Sequence, residues 1–113
     1  MSECVFCRIA KKELPSDVIY EDKKILGFKN IRPEASVHFL FIPKKHFEWK
    51  KKFTKSDLSA IITLIVAAKK VAIREKIFGA SKLIFNIGKT GEISHLHLHL
   101  LGGWKNKVPK NNI

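Results

Sequence analysis

The chain has 113 residues, enough for one hydrophobic core and too few for two ordinary domains, so a single domain over residues 1–113 is expected. Apolar residues make up 45% and aromatic residues 10%, which excludes a disordered chain, and no apolar run approaches the roughly 18 residues that span a bilayer. The formal charge is +12, mostly from lysine and without an aromatic–basic recognition module, so phosphorylated small molecules are expected as partners rather than nucleic acid.

In chain order, residues 3–12 read as a short amphipathic helix with Val5, Phe6 and Ile9 on one side. Leu14-Pro15-Ser16 breaks it. Cys4 and Cys7 within it form a C-x-x-C pair; no strand precedes them as in a redox motif, and on their own they are half of a metal site. The N-terminus has no basic segment followed by an apolar stretch, so no signal peptide is read and a cytoplasmic location is expected. Residues 18–21 and 25–29 read as an antiparallel pair about the turn at 22–24. Residues 37–42 are the strongest strand by composition, and Pro43 ends it. A basic loop follows, with Lys50, Lys51, Lys52 and Lys55 as a solvated cluster.

A long helix is next. Thr54 caps it, Asp57 completes a box, and Phe53 with Leu58 fits a hydrophobic staple. Leu58, Ile61, Ile62, Ile65, Val66, Ala68 and Val71 read as its core stripe, and Gly79 as its stop. Residues 83–87 read as a strand, 88–91 as a turn, and 95–101 as the last strand.

That last segment carries the chemistry. His95, His97 and His99 alternate with Leu96, Leu98 and Leu100, which on a strand places three imidazoles on one face and three leucines on the other. A strand with a polar face toward water would give the same alternation, but three neighbouring groups that titrate near neutrality call for an anion, a metal, or both. Two helices, five strands and hairpin-length links give an α+β fold: an antiparallel sheet with helices packed on it.

Several ordered motifs resemble the histidine-triad (HIT) family. They are His95-x-His97-x-His99 with Gly102-Gly103, Cys4-Val-Phe-Cys7-Arg-Ile-Ala, the segment Ile25 to Pro33, His38-Phe-Leu-Phe-Ile-Pro-Lys-Lys-His46, and Leu83-Ile-Phe-Asn86. The ending Leu-Leu-Gly-Gly-Trp is similar to the histidine-triad nucleotide-binding (Hint-like) branch. The resemblance implies a HIT-like fold, a five-stranded antiparallel sheet with one long and one short helix, continuing across a homodimer. It implies binding of purine nucleoside monophosphates or their conjugates and cleavage of phosphoramidate or related bonds at the α-phosphorus. His97 would be the nucleophile, giving a nucleotidyl-histidine. His99 would bond the phosphate and assist the leaving group, and His38 would complete the catalytic set. Val5, Phe6, Ile9, Phe28 and Ile31 would hold the base, Asn30 the ribose, and Asn86, Gly91 and Glu92 the phosphate side together with His97 and His99. Two alternatives stand beside this activity: a non-catalytic nucleotide-binding regulatory protein, and a dinucleoside polyphosphate hydrolase.

Two departures from the family pattern matter. Asn30 stands where Asp is usual, so the ribose contact is expected to weaken by about 1 kcal/mol through loss of a charge-assisted bond. The loop between Asn86 and His95 is shorter by about two residues and reduced to Gly91-Glu92, where backbone N–H groups would still face phosphate. The resemblance further implies a structural zinc held by Cys4, Cys7, His46 and His95, a Cys2His2 set. Residues 103–113 read as a flexible tail, or as a segment (Trp104, Lys105 to Lys110) that reaches a partner subunit's pocket.

Overall fold

In a computed structural model of the chain, residues 4–87 and 93–104 are described. They form helix α1 (Val5–Ala10), strands β1 (Val18–Glu21), β2 (Ile25–Lys29) and β3 (Val37–Pro43), helix α2 (Lys55–Arg74), and strands β4 (Ser81–Phe85) and β5 (Leu98–Gly102). The sheet is antiparallel throughout, in the order β1-β2-β3-β5-β4. The expected α+β architecture, five strands with one long and one short helix, is present. No helix among the described residues is long and apolar enough to cross a membrane.

The central strands β2, β3 and β5 are buried on both faces, which is why 37–42 reads as an almost unbroken apolar run. Alternation along β3 sends Phe39 and Phe41 to one side, where they pack with Leu98, Leu100 and α2. It sends Leu40 and Ile42 to the other, where they join Phe28 and the Phe6 and Ile9 side chains of α1. His38 shares that second face. The sheet thus separates a large α2-side core from a smaller α1-side core, and the smaller one borders the site.

Several expected boundaries and faces move. Strand β4 lies two residues earlier than the expected 83–87 and pairs Leu83 with Leu100. Helix α2 begins at the expected cap: Thr54 Oγ1 accepts from the Asp57 N–H and Asp57 Oδ2 from the Thr54 N–H. It ends before Gly79. Lys76 takes the left-handed conformation (φ 61°), with Lys76 N–H donating to Ile73 O and Ile77 N–H to Ala72 O, the paired bonds of a Schellman stop. The core stripe is also rotated from the expected one. Leu64, Ala67, Ala68, Val71 and Ala72 are buried, and the alanines let the helix lie close on β3 and β5. Leu58, Ile62, Ile65 and Val66 are instead 49, 58, 38 and 45% exposed.

The Gly102-Gly103 pair has two separate steric reasons. A Cβ on Gly102 would stand 2.5 Å from Ile77 Cδ1 and 2.9 Å from Ile77 Cβ; the second atom is fixed to the backbone and cannot swing away. Gly103 has φ +101° and lies against Ser36, a conformation side chains resist. Gly102→Ala is therefore expected to lower unfolding free energy by about 1–3 kcal/mol, the usual overpacking penalty, read from urea midpoints at unchanged slope.

Candidate functional site

A cavity of about 400 Å³ opens on the α1 side of the sheet. Its walls bring together Val5, Phe6, Ile9, Phe28, Asn30, Ile31 and His99 from the residues expected to bind nucleotide. Phe6 and Phe28 meet edge to face at 5.7 Å and form a buried apolar floor. Ile31 is 92% exposed and stands at the rim. His97 adjoins this wall, with ring centroids 5.1 Å from Phe6 and 5.0 Å from His99. Asn86 reaches it through His99, at 3.3 Å. Gly91 and Glu92 lie outside the described residues.

As expected, the three triad histidines lie on one side of the sheet, with His95 and His97 both against the Phe6 ring and His99 in the cavity, while Leu96, Leu98 and Leu100 pack in the α2-side core. The β3–β5 ladder starts only at Phe41 opposite Leu98. Before it, the Leu96 N–H leaves the sheet and donates to Phe47 O at 2.6 Å. This corrects the continuous strand expected over 95–101. On the α1 side His95 meets the Cys4 and Cys7 thiols, while His97 and His99 stand beside the cavity.

The hydrogen bonds fix the protons. His97 Nδ1 lies 2.8 Å from His95 O; a carbonyl only accepts, so Nδ1 carries the hydrogen and Nε2 carries the lone pair. Glu34 N–H donates to His38 Nδ1 at 3.0 Å, so the His38 hydrogen sits on Nε2 and is donated to His99 Nδ1, 2.8 Å away. His99 therefore holds its own hydrogen on Nε2, so the Asn86 amide nitrogen 3.3 Å away faces it as a second donor and the two are in contact without a hydrogen bond. The arrangement sets a nucleophilic nitrogen on one ring beside an N–H donor on the next, at the wall of an apolar cavity. All three rings are buried, at 3, 4 and 8% exposure for His97, His38 and His99.

Asn30 is part of the same network. Its Oδ1 accepts from Arg32 N–H at 2.9 Å, which orients the amide, and its Nδ2 then meets His38 Nε2 at 3.1 Å. Both nitrogens are donors in this arrangement, so the contact is not a hydrogen bond.

A second cluster lies behind the first. The ligating atoms of Cys4, Cys7, His46 and His95 all fall within 4.8 Å of one another. His95 Nδ1 is 3.3 Å from Cys4 Sγ and 3.4 Å from Cys7 Sγ, and His46 Nδ1 is 3.2 Å from Cys7 Sγ. Each imidazole has its other nitrogen occupied: His95 Nε2 donates to Pro43 O at 2.9 Å, and His46 Nε2 to Glu48 Oε2 at 2.7 Å. Both Nδ1 lone pairs thus point at the thiols, the arrangement metal-ligating histidines adopt. Burial pushes the Cys4 thiol up, but the Cys7 N–H and thiol and the neighbouring His46 outweigh it and hold Cys4 below its ordinary value. Burial and Cys4 push Cys7 up. Burial lowers His95, and the Glu48 carboxylate raises His46. These four residues fit a metal ion by atom type, spacing and outer hydrogen bonding.

Comparison with known proteins agrees with this geometry. The family profile described as "Scavenger mRNA decapping enzyme C-term binding" matches residues 3–112. The HitA protein of Neisseria gonorrhoeae is 35% identical over 104 residues, 90% of this chain and 97% of that protein. A 14 kDa zinc-binding protein of Zea mays is 38% identical over 106 residues, 90% of this chain and 83% of that one. A crystal structure of a HIT family hydrolase from Legionella pneumophila superposes with a TM-score of 0.84 at 42% identity, covering 91% of this chain and 95% of that one. The chain belongs to the histidine-triad family.

Within this HIT domain, sequence reasoning missed three participants. Glu34 acts through its backbone N–H, which no side-chain pattern marks. Leu40 lines the cavity, and its two-residue offset from His38 was the signal available. Glu48 stands two residues after His46 and orients it. At neutral pH, long-range nitrogen–proton NMR correlations are expected to find His97 protonated at Nδ1 and His38 and His99 at Nε2. A His97 ring protonated at Nε2 would contradict the assignment.

Proposed function

We propose that this HIT-family chain is a Hint-like nucleotide-binding hydrolase that cleaves purine nucleoside phosphoramidates or related conjugates at the α-phosphorus. One observation supports this above others: the His97 Nε2 lone pair, its proton pinned on the opposite nitrogen by a backbone carbonyl. A neutral imidazole so held is a nucleophile at pH 7 without a separate base. In the first step Nε2 of His97 bonds the α-phosphorus and the bond to the leaving amine breaks. His99 Nε2–H hydrogen-bonds the phosphate and the departing nitrogen, which leaves as an amine by taking a proton from solvent, and His38 holds His99 in the donating tautomer. In the second step water attacks the nucleotidyl-histidine and gives its proton to solvent, releasing the nucleoside monophosphate and restoring neutral His97. The base packs between Phe6, Ile9 and Phe28, with Val5 and Ile31 at the rim, and Asn30 offers an amide N–H to the sugar side.

The metal-type cluster is read as a zinc site. Two thiolates and two imidazoles suit a closed tetrahedral ion with a structural task. The named zinc-binding relative from maize supports the same assignment. Its consequence for the pocket is positional: Cys4 caps α1 and Cys7 lies within it, so the site holds the helix that supplies Phe6 and Ile9.

The assembly is read as a homodimer. Strand β4 is an edge of the sheet with Leu83 45% exposed, and α2 presents Leu58, Ile62, Ile65 and Val66 outward. A second copy placed on a two-fold axis covers that face and the edge together.

Each reading has its measurement. Incubation with an adenosine phosphoramidate is expected to release AMP, with a nucleotidyl adduct on His97 found by mass spectrometry after brief exposure. His97→Ala should lower turnover by about a thousandfold or more while AMP still binds; AMP binding without turnover in the intact protein would select a non-catalytic role. Metal analysis is expected to return zinc, and chelation should lower the thermal midpoint and weaken AMP binding together; a chelator-treated protein with both unchanged removes the zinc reading. Ile62→Glu with Ile65→Glu is expected to convert the sedimenting species from dimer to monomer.

A further inference from the structure

A second cavity stands apart from the nucleotide pocket. About 500 Å³ lies on the opposite, α2 side of the sheet, between the β1–β2 turn, the end of β3 and the first turns of α2. Lys23 and Lys24 line it from the turn, Lys44 and Lys45 from the end of β3, and Ser56, Ser59 and Thr63 from the helix. The three hydroxyl residues fall at i, i+3 and i+7, one side of α2, away from the exposed apolar face. No carboxylate lines this cavity. A smaller hollow of about 210 Å³ continues it past Lys45 and Ser56 toward Lys50.

The fold consumes only part of the positive charge in this groove. Lys44 pairs with Glu21 at 2.8 Å and Lys50 with Asp57 at 3.2 Å. Lys23, Lys24 and Lys45 make no ion pair among the described residues. Thr63 donates its hydroxyl back to Ala60 O, while Ser56 and Ser59 are exposed with no protein partner among the described residues. The charge is also placed against the helix. The N-terminus of α2 is the positive end of its dipole, where carboxylates stabilise and cations do not. Here Lys50, Lys51, Lys52 and Lys55 gather beside it, with Asp57 the one acid in the first turn. A departure from the locally stabilising choice marks a functional demand.

We propose that this groove binds the phosphate backbone of single-stranded nucleic acid, without reading its sequence. Phosphate oxygens suit lysine ammonium and serine hydroxyl donors alike, and cations spread over two adjoining hollows, from Lys23 and Lys24 past Lys45 to Lys50, suit a chain of phosphates better than one anion. The channel is concave between a helix and a hairpin, which fits one strand. The aromatic side chains needed to stack bases do not line its main part, so contacts are confined to the backbone. The site is separate from the nucleotide pocket and independent of the proposed hydrolysis.

The test is fluorescence anisotropy of a labelled single strand of about twelve nucleotides, within the site sizes such channels use, against the full-length protein. With three unpaired lysines engaged, the logarithm of affinity is expected to fall with the logarithm of salt at a slope of about −2. Lys23→Glu with Lys24→Glu should weaken binding at least about tenfold while phosphoramidate turnover stays unchanged. Lys70→Glu with Lys76→Glu makes the same change of charge outside the groove and should weaken it less than about twofold. Equal loss in both double variants would mean diffuse surface charge and overturn the proposal. Displacement of the strand by saturating AMP would place it in the nucleotide pocket, and tripolyphosphate or duplex binding as tightly as the strand would refute a single-strand backbone as the occupant.

Discussion

The site depends on one backbone hydrogen bond, from Leu96 N–H to Phe47 O. It takes the chain out of the ladder just before β5, yet Leu96 stays in the α2-side core with Leu98 and Leu100, and the histidines stay on the α1 side. There His95 meets the thiols of α1 and His97 borders the cavity. The two are then joined again, because the carbonyl of His95 is what holds the proton on His97 Nδ1. A single peptide unit therefore ties the metal-type cluster to the His97 ring. Any movement of the His95 ring that tilts its carbonyl also loosens the His97 tautomer on which the proposed attack relies.

The register of β3 against β5 supplies the other half. Leu40 lies opposite His99 and His38 opposite Leu101, so the two histidines are diagonal neighbours on one face, within reach of a direct bond. That bond passes a fixed donor direction from Glu34 N–H through His38 to His99, and each ring is buried too deeply for water to reset it. The opposite faces of the same strands pack α2 through Phe39, Phe41, Leu98 and Leu100. The rigidity of the cavity wall is thus borrowed from the larger core behind it.

Local spacing carried much of this in the sequence. The C-x-x-C pair, the alternating histidines and the Thr54–Asp57 box are patterns within a few residues, and each is found in the structure as a cluster or a cap. What spacing does not carry is contact between distant segments. The end of the β5 ladder depends on Phe47, some fifty residues away in sequence, so an alternating run was read as one long strand. The rotation of α2 follows from alanines: small residues mark the close-packed face, yet a reading weighted to large apolar side chains chooses the other. Lys76 as the left-handed stop shows the same limit, since Schellman bonds to Ala72 and Ile73 outweigh the preference for glycine three residues on.

Asn30 shows what one substitution does inside a fixed proton network. An aspartate there would accept from His38 Nε2–H and compete with His99 for that hydrogen. The amide cannot, because Arg32 N–H fixes its oxygen and leaves a nitrogen facing His38. The His38-to-His99 bond therefore keeps its donor undivided, while an amide hydrogen on Asn30 is left facing a donor. A ligand oxygen placed between Asn30 and the cavity removes that unfavourable contact, whereas an aspartate would exchange one good partner for another. The substitution thus gives up a charge-assisted bond to the ligand, and it relieves a strained contact when the ligand arrives. The two effects act in opposite directions on nucleotide affinity, and the loss attributable to charge alone is an upper bound.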